Sequence, residues 1–228
     1  MEIRSERVQI PVAGGGAMGG YLVRSTDTTP RPGVIVYMEI FGVNSHIRNV
    51  TNGFARAGYF AIAPQLFDRA ERDVELGYEA HDMGRGVELA RGRSKREHLL
   101  TDLQASVDFA RKYGKVGVVG YCFGGMLTWV AASQVEGVSA ASGYYGGGIA
   151  SEVALQPRCP TILHFGERDA HIPMTQVEQV RQAHPDVPIY VYAADHGFNC
   201  DHRASWDAPA AALALERTLA LFAEHLPG

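Results

Sequence analysis

A cysteine, an acid and a histidine follow one another along this chain in an order suited to acyl transfer. Residues 115–126 run from an apolar stretch into Gly120-Tyr121-Cys122-Phe123-Gly124-Gly125 and then into helix-forming residues. This is the pattern of a nucleophile elbow with cysteine in the usual place of serine. The corner lifts the nucleophile clear of a sheet. Side chains two residues to either side would collide with it, which accounts for the glycines. The helix N-terminus behind the sulfur favours a thiolate. The Phe123 amide points to where an oxyanion would form.

The partners follow at strand ends. The apolar run Thr161–Phe165 leads into Gly166-Glu167-Arg168-Asp169, and Asp169 lies 47 residues beyond Cys122. His196 lies 27 residues further, just past the apolar run Ile189–Ala193. Nucleophile, acid, histidine is the chain order of an α/β-hydrolase. His171, Asp195 and Glu167 are rival candidates. Gly197 after His196 and its place behind the last apolar run favour His196. Glu39 follows the run Gly33–Met38 in Glu39-Ile40-Phe41-Gly42-Val43-Asn44, where the second oxyanion-hole amide is supplied. Ile40 would donate it. An acid flanked by Met38, Ile40 and Phe41 is expected beside the site rather than in free solvent.

Six elements must position these residues. Continuous apolar runs at Gly33–Met38, Tyr59–Ala63, Val116–Tyr121, Val138–Tyr145, Thr161–Phe165 and Ile189–Ala193 suit strands buried on both faces. Helix-period segments fall between them. Ser45–Ala57 starts on a capping residue, and Lys95–Tyr113 carries Leu99, Leu103, Val107 and Ala110 on one stripe. Met126–Ser133, Gln176–Ala183 and Ala208–Leu226 complete the set. The alternation predicts an α/β fold with a mostly parallel central sheet flanked by helices on both faces. Alternating residues around the glycines 14–16 predict an edge hairpin. The stretch 67–93 is charged and weakly periodic. It reads as a surface excursion or partial cap on a single domain spanning 1–228.

Composition narrows the function classes. Hydrophobic residues make up 46% and charged residues 20%, with a net charge of −4, which is ordinary for a packed domain. Basic residues are scattered, and the short basic stretch 91–96 reads as a solvated face. Neither a nucleic-acid nor a membrane partner is expected. The N-terminus lacks the apolar run of a signal peptide, so a cytoplasmic location is expected. Three cysteines without a CxxC pair give no disulfide framework and no metal-ligand spacing. Cys159 reads as a core residue and Cys200 as a neighbour of the site mouth. His164 and Trp129 read as buried packing residues, and Trp206 as core or pocket rim.

Taken together, Glu39-Ile40-Phe41-Gly42-Val43-Asn44, the Cys122 elbow, Tyr144-Tyr145-Gly146 and His196-Gly197-Phe198 resemble the dienelactone hydrolases (carboxymethylenebutenolidases), over roughly residues 8–221. The resemblance implies an α/β-hydrolase fold, a Cys122–His196–Asp169 triad, and no metal or organic cofactor. It implies that Glu39 meets the resting thiol and helps generate the thiolate. Ile40 and Phe123 would form the oxyanion hole, and Tyr144, Phe41 and Phe198 would line the substrate pocket. Family members grip the substrate carboxylate with two arginines. The position four residues after His196 is Cys200 here, so Arg203 and Arg85 are the available counterparts.

The expected substrate is a small activated ester or lactone, cleaved through an acyl-thioester by a monomer or weak homodimer. Phosphate triesters are a further class of electrophile for the same thiolate. The competing reading is a non-catalytic α/β module in which Cys122 is a redox-sensing or ligand-holding thiol. The orienting carboxylate argues against it, since a sensor needs none. No serine occupies an elbow.

Overall fold

Val116–Tyr121 is buried along its whole length and runs near the middle of the sheet as β5. The computed structural model describes residues 1–27, 29–93 and 95–227, without the side chains of 92 and 93. Ser94 of the basic stretch lies outside them, while Arg91, Lys95 and Arg96 are exposed.

The strands are β1 (Ile3–Pro11), β2 (Ala17–Ser25), β3 (Gly33–Tyr37), β4 (Phe60–Pro64), β5, β6 (Val138–Tyr144), β7 (Thr161–Gly166) and β8 (Ile189–Tyr192). They form one sheet in the order β1-β2-β4-β3-β5-β6-β7-β8. β1 and β2 make the expected edge hairpin, and β2 runs antiparallel to β4. From β4 to β8 every pairing is parallel. The strand ends after β3, β5, β7 and β8 therefore gather along one edge, where parallel sheets build their sites.

The helices are α1 (Ser45–Arg56), α2 (Ala80–Val87), α3 (Arg96–Ala110), α4 (Phe123–Gln134), α5 (Met174–Ala183) and α6 (Ala208–His225). α1 and α6 cover one face and meet through Phe54 and Phe222, ring centroids 6.0 Å apart. α3 and α4 cover the other. There Ser106 reaches the Tyr37 hydroxyl, and Trp129 is fully buried with its indole N–H on the Glu152 carbonyl. Each such buried aromatic contributes roughly 1.5–3 kcal/mol of transfer free energy.

Two expectations need correction. Asn44, not Ser45, caps α1, its side chain accepting from the Ile47 amide. Both types cap well, so type alone could not choose between adjacent positions. α4 starts at Phe123 rather than Met126, because the elbow feeds straight into the helix. The excursion 67–93 holds α2 and a π-helical turn at 88–93. Arg69 anchors it to α3 by a two-pronged bond to buried Asp102. Among the described residues, no helix is long and apolar enough to cross a membrane.

Candidate active site

Cys122 sits at the corner between β5 and α4 with φ 54° and ψ −111°. That conformation is costly for a residue with a side chain, about 1–3 kcal/mol. The flanks hold it there: the Cys122 amide donates to the Tyr144 carbonyl, and the Cys122 carbonyl accepts from the Met126 amide. The glycines are required by approach. A Cβ on Gly120 would lie 2.0 Å from the Gly124 carbonyl oxygen, and one on Gly124 would lie 2.2 Å from that of Tyr37.

The Cys122 sulfur lies 3.2 Å from His196 Nε2. On the other side of the ring, Nδ1 is 2.7 Å from Asp169 Oδ2. Asp169 Oδ1 accepts from the amides of His171 and Ile172, which fixes the carboxylate. Burial alone would raise Asp169, yet His196 and these amides hold its carboxyl below the usual value. Burial alone would lower His196, yet its bonds to Asp169 and Cys122 push the imidazole up to about 10. Both ring nitrogens are thus engaged, Nδ1 by the carboxylate and Nε2 by the sulfur. Of the rivals, His171 supplies an amide to Asp169 and an edge-on ring 5.1 Å from His196. Asp195 is turned outward, paired with Arg168.

The two candidate oxyanion donors are available. Among the described residues, no hydrogen bond engages the N–H of Ile40 or of Phe123. The excursion covers this corner. Phe67 stacks on Phe123 at 5.9 Å, Leu76 donates to the Phe41 carbonyl, and Gly86 of α2 lies against the Ile40 carbonyl.

Glu39 is fully buried, as its apolar neighbours foretold. Its Oε2 accepts from the Tyr78 hydroxyl at 3.2 Å, and Arg203 Nη1 lies 3.9 Å from Oε1. The sulfur of Cys122 is turned to His196, and no Glu39–Cys122 hydrogen bond forms here.

Other expected pocket residues fall elsewhere. Tyr144 is fully buried and bonds through its hydroxyl to Thr218, which also meets Ser142 and His164. It belongs to a polar network under the sheet rather than to the pocket wall. Its neighbour Tyr145, just past the strand at φ 34°, faces the site with its ring 5.1 Å from His196. The left-handed backbone at Tyr145, just beyond the strand end, sets the direction of its ring, and no strand alternation read from the sequence fixes that. Phe41 is buried edge-on against Tyr78, and Phe198 is buried among Tyr144, Tyr145 and Tyr192. Arg85 is held by Glu71 and Glu88 on the excursion, so of the two candidate arginines only Arg203 reaches the Glu39 side of the site.

Tyr78, Tyr145 and His46 were not singled out. The Tyr144-Tyr145-Gly146 motif marked the right segment for one of them. Cys200 is fully buried, and burial with the nearby Glu39 charge pushes its thiol up to about 11. It is therefore held as a thiol, unlike a nucleophile. Trp206 is half exposed, outside the site.

The profile of the "Dienelactone hydrolase family" matches residues 18–226. A Synechocystis protein provisionally named a carboxymethylenebutenolidase is 39% identical over 229 residues, covering 92% of each chain. The carboxymethylenebutenolidase of Pseudomonas putida is 33% identical, covering 88% of this chain and 89% of that one. A crystal structure from Klebsiella pneumoniae, provisionally described as a dienelactone hydrolase, superposes with a TM-score of 0.86. It shares 32% identity and covers 98% of this chain and 100% of that one.

Proposed function

The chain belongs to the dienelactone hydrolase family, and from that premise we propose that it cleaves small activated esters or lactones with Cys122 as nucleophile, His196 as base and acid, and Asp169 as the orienting carboxylate. The observation that carries the reading is the unbroken chain from the Cys122 sulfur to His196 at 3.2 Å and on to Asp169 at 2.7 Å, set beside two unengaged amides.

The sulfur attacks the substrate carbonyl, and its electrons pass to the carbonyl oxygen. The amides of Ile40 and Phe123 take up that oxyanion; removing one such donor typically costs 10²–10³ in rate. Collapse of the intermediate expels the alkoxide or enolate, which takes the Nε2 proton of His196, and leaves an acyl-thioester on Cys122. His196, now neutral, takes a proton from water, whose oxygen attacks the thioester. The acid departs, and the thiolate–imidazolium pair is restored. Asp169 holds one tautomer throughout. Thiolate is itself a good leaving group, so the first step goes forward best when the substrate leaves more easily still. That selects enol lactones and aryl esters.

Glu39 and Tyr78 would steer the sulfur between its resting and attacking positions. Arg203 is the cation within reach of a substrate carboxylate. Tyr145, whose buried hydroxyl has no hydrogen-bond partner among the described residues, would donate to a substrate oxygen.

The test is nitrophenol release from a short-chain nitrophenyl ester. Cys122→Ala should reduce kcat/KM by at least about 10³-fold, and an unchanged rate would overturn the assignment. A panel of cis- and trans-dienelactone against neutral aryl esters then reports whether Arg203 selects anions. The reading of Cys122 as a non-catalytic thiol predicts peroxide sensitivity with no esterase activity at all.

A further inference from the structure

Behind the triad, three donors of different chemistry converge although nothing in their sequence spacing links them. Glu39 on the loop after β3, His46 in the first turn of α1 and Cys200 past β8 are all buried, and their ligand atoms lie within 4.8 Å of one another. Two buried atoms of these residues, Glu39 Oε1 and His46 Nε2, have no hydrogen-bond partner among the described residues, and Oε1 has only the long ion pair with Arg203 at 3.9 Å. A polar atom buried without a hydrogen-bond partner is costly to keep, so His46 Nε2 and a carboxylate oxygen held only by a long ion pair call for an explanation.

The histidine supplies a second observation. Its other ring nitrogen, Nδ1, lies 3.2 Å from Asp201 Oδ1. A carboxylate on one imidazole nitrogen fixes the tautomer and frees the other to ligate, which is the usual outer-shell arrangement of a metal-bound histidine. His46 and Asp201 also line a cleft of about 290 Å³ between α1 and α6, so the outer side of the histidine borders a solvent-filled space.

We propose that Glu39, His46 and Cys200 bind one thiophilic divalent cation of the zinc class. Carboxylate, imidazole and thiolate are a borderline-soft donor set that favours Zn²⁺ or Co²⁺ over Mg²⁺ or Ca²⁺. A tetrahedral ion would draw the three atoms to about 3.5 Å apart, a contraction that small side-chain rotations supply, with water as fourth ligand. On binding, Cys200 gives up its thiol proton to solvent and forms a metal–sulfur bond, with no change of oxidation state. Arg203, 3.9 Å from Glu39, neutralises the carboxylate in this structure. Its side chain is partly exposed and would swing out as the dication replaces it. Binding would also take Glu39 away from the loop beside Cys122, so the same event would restrain the hydrolase. The site itself does not depend on whether Cys122 is the nucleophile.

Co²⁺ is the probe, since a thiolate bound to it gives a near-ultraviolet charge-transfer band. The reduced, chelator-treated protein should bind one equivalent and show this band. Cys122→Ser should keep the band, Cys200→Ser should lose it, and His46→Gln should keep it with at least about tenfold weaker binding. Circular dichroism checks that each variant is folded. Absence of any stoichiometric binding to the wild-type protein overturns the proposal. So does a band lost in Cys122→Ser and kept in Cys200→Ser, which places the ion in the triad. Should Cys200→Ser fail to fold, the His46→Gln affinity decides, with unchanged affinity overturning the proposal.

Discussion

His164 makes stability fall in acid, and its share can be worked from its surroundings. It lies in β7, fully buried, with Nδ1 2.8 Å from the Tyr192 hydroxyl and Nε2 3.4 Å from Thr218. Burial, helped by the charge of Arg217, lowers it from 6.5 to about 3. Between those values the unfolded chain binds a proton that the folded chain refuses. Stability is then complete above pH 6.5 and drains away as pH falls, by about 1.4 kcal/mol per unit. Over the whole 3.5 units, 6.5 minus 3, this amounts to about 5 kcal/mol, a large part of the roughly 5–15 kcal/mol that holds a domain folded. His196 has the opposite sign. Raised to about 10, it is protonated in both states below pH 6.5, so its stabilisation is intact in acid and is lost only as pH rises towards 10. Keeping above the carboxylate range, to pH 5, leaves Asp169 ionised in both states, and comparison with a variant at His164 cancels the contribution of His196. The perturbation is His164→Gln, which keeps a hydrogen-bonding side chain and cannot titrate. Urea unfolding from pH 7.5 to 5.0 should cost the wild type about 2 kcal/mol more than the variant. Parallel curves would refute the reasoning.

Three further outcomes are expected. Gly124→Ala puts a Cβ 2.2 Å from the Tyr37 carbonyl oxygen, so the elbow must move by about 1 Å; ester hydrolysis should fall by about 10²-fold. Asp169→Asn removes the carboxylate that raises His196, so the His196 titration seen by proton NMR should move down from about 10, and kcat/KM should fall by about 10³-fold or more. Thr218→Val strips a partner from the Ser142 and Tyr144 hydroxyls and should destabilise by about 2–5 kcal/mol, read as a lower thermal midpoint.

Much of the architecture is legible in local pattern. β5 runs from Val116 to Tyr121 as its apolar run does, because a strand buried on both faces must be apolar throughout. Helix ends were less legible: Asn44 and Ser45 are equivalent as types, and only backbone geometry at α1 separates them. The excursion carries only weak periodicity, since α2 is short and glycine-bearing and the segment is held by tertiary contacts such as Arg69 with Asp102.

The chemistry divides in the same way. By itself the sequence determined the elbow, the order Cys122, Asp169, His196 and the presence of an acid at Glu39. Strand-end loops of a parallel sheet must share an edge, so order alone brings them near one another. Tertiary structure decided the rest: that Tyr145 and not Tyr144 faces His196, that Arg85 is occupied by Glu71 and Glu88, that Tyr78 reaches Glu39, and that Cys200 meets His46. These depend on side-chain direction and on contacts between segments far apart in the chain. No local pattern encodes such contacts, because the free energy that selects them is the packing of the whole.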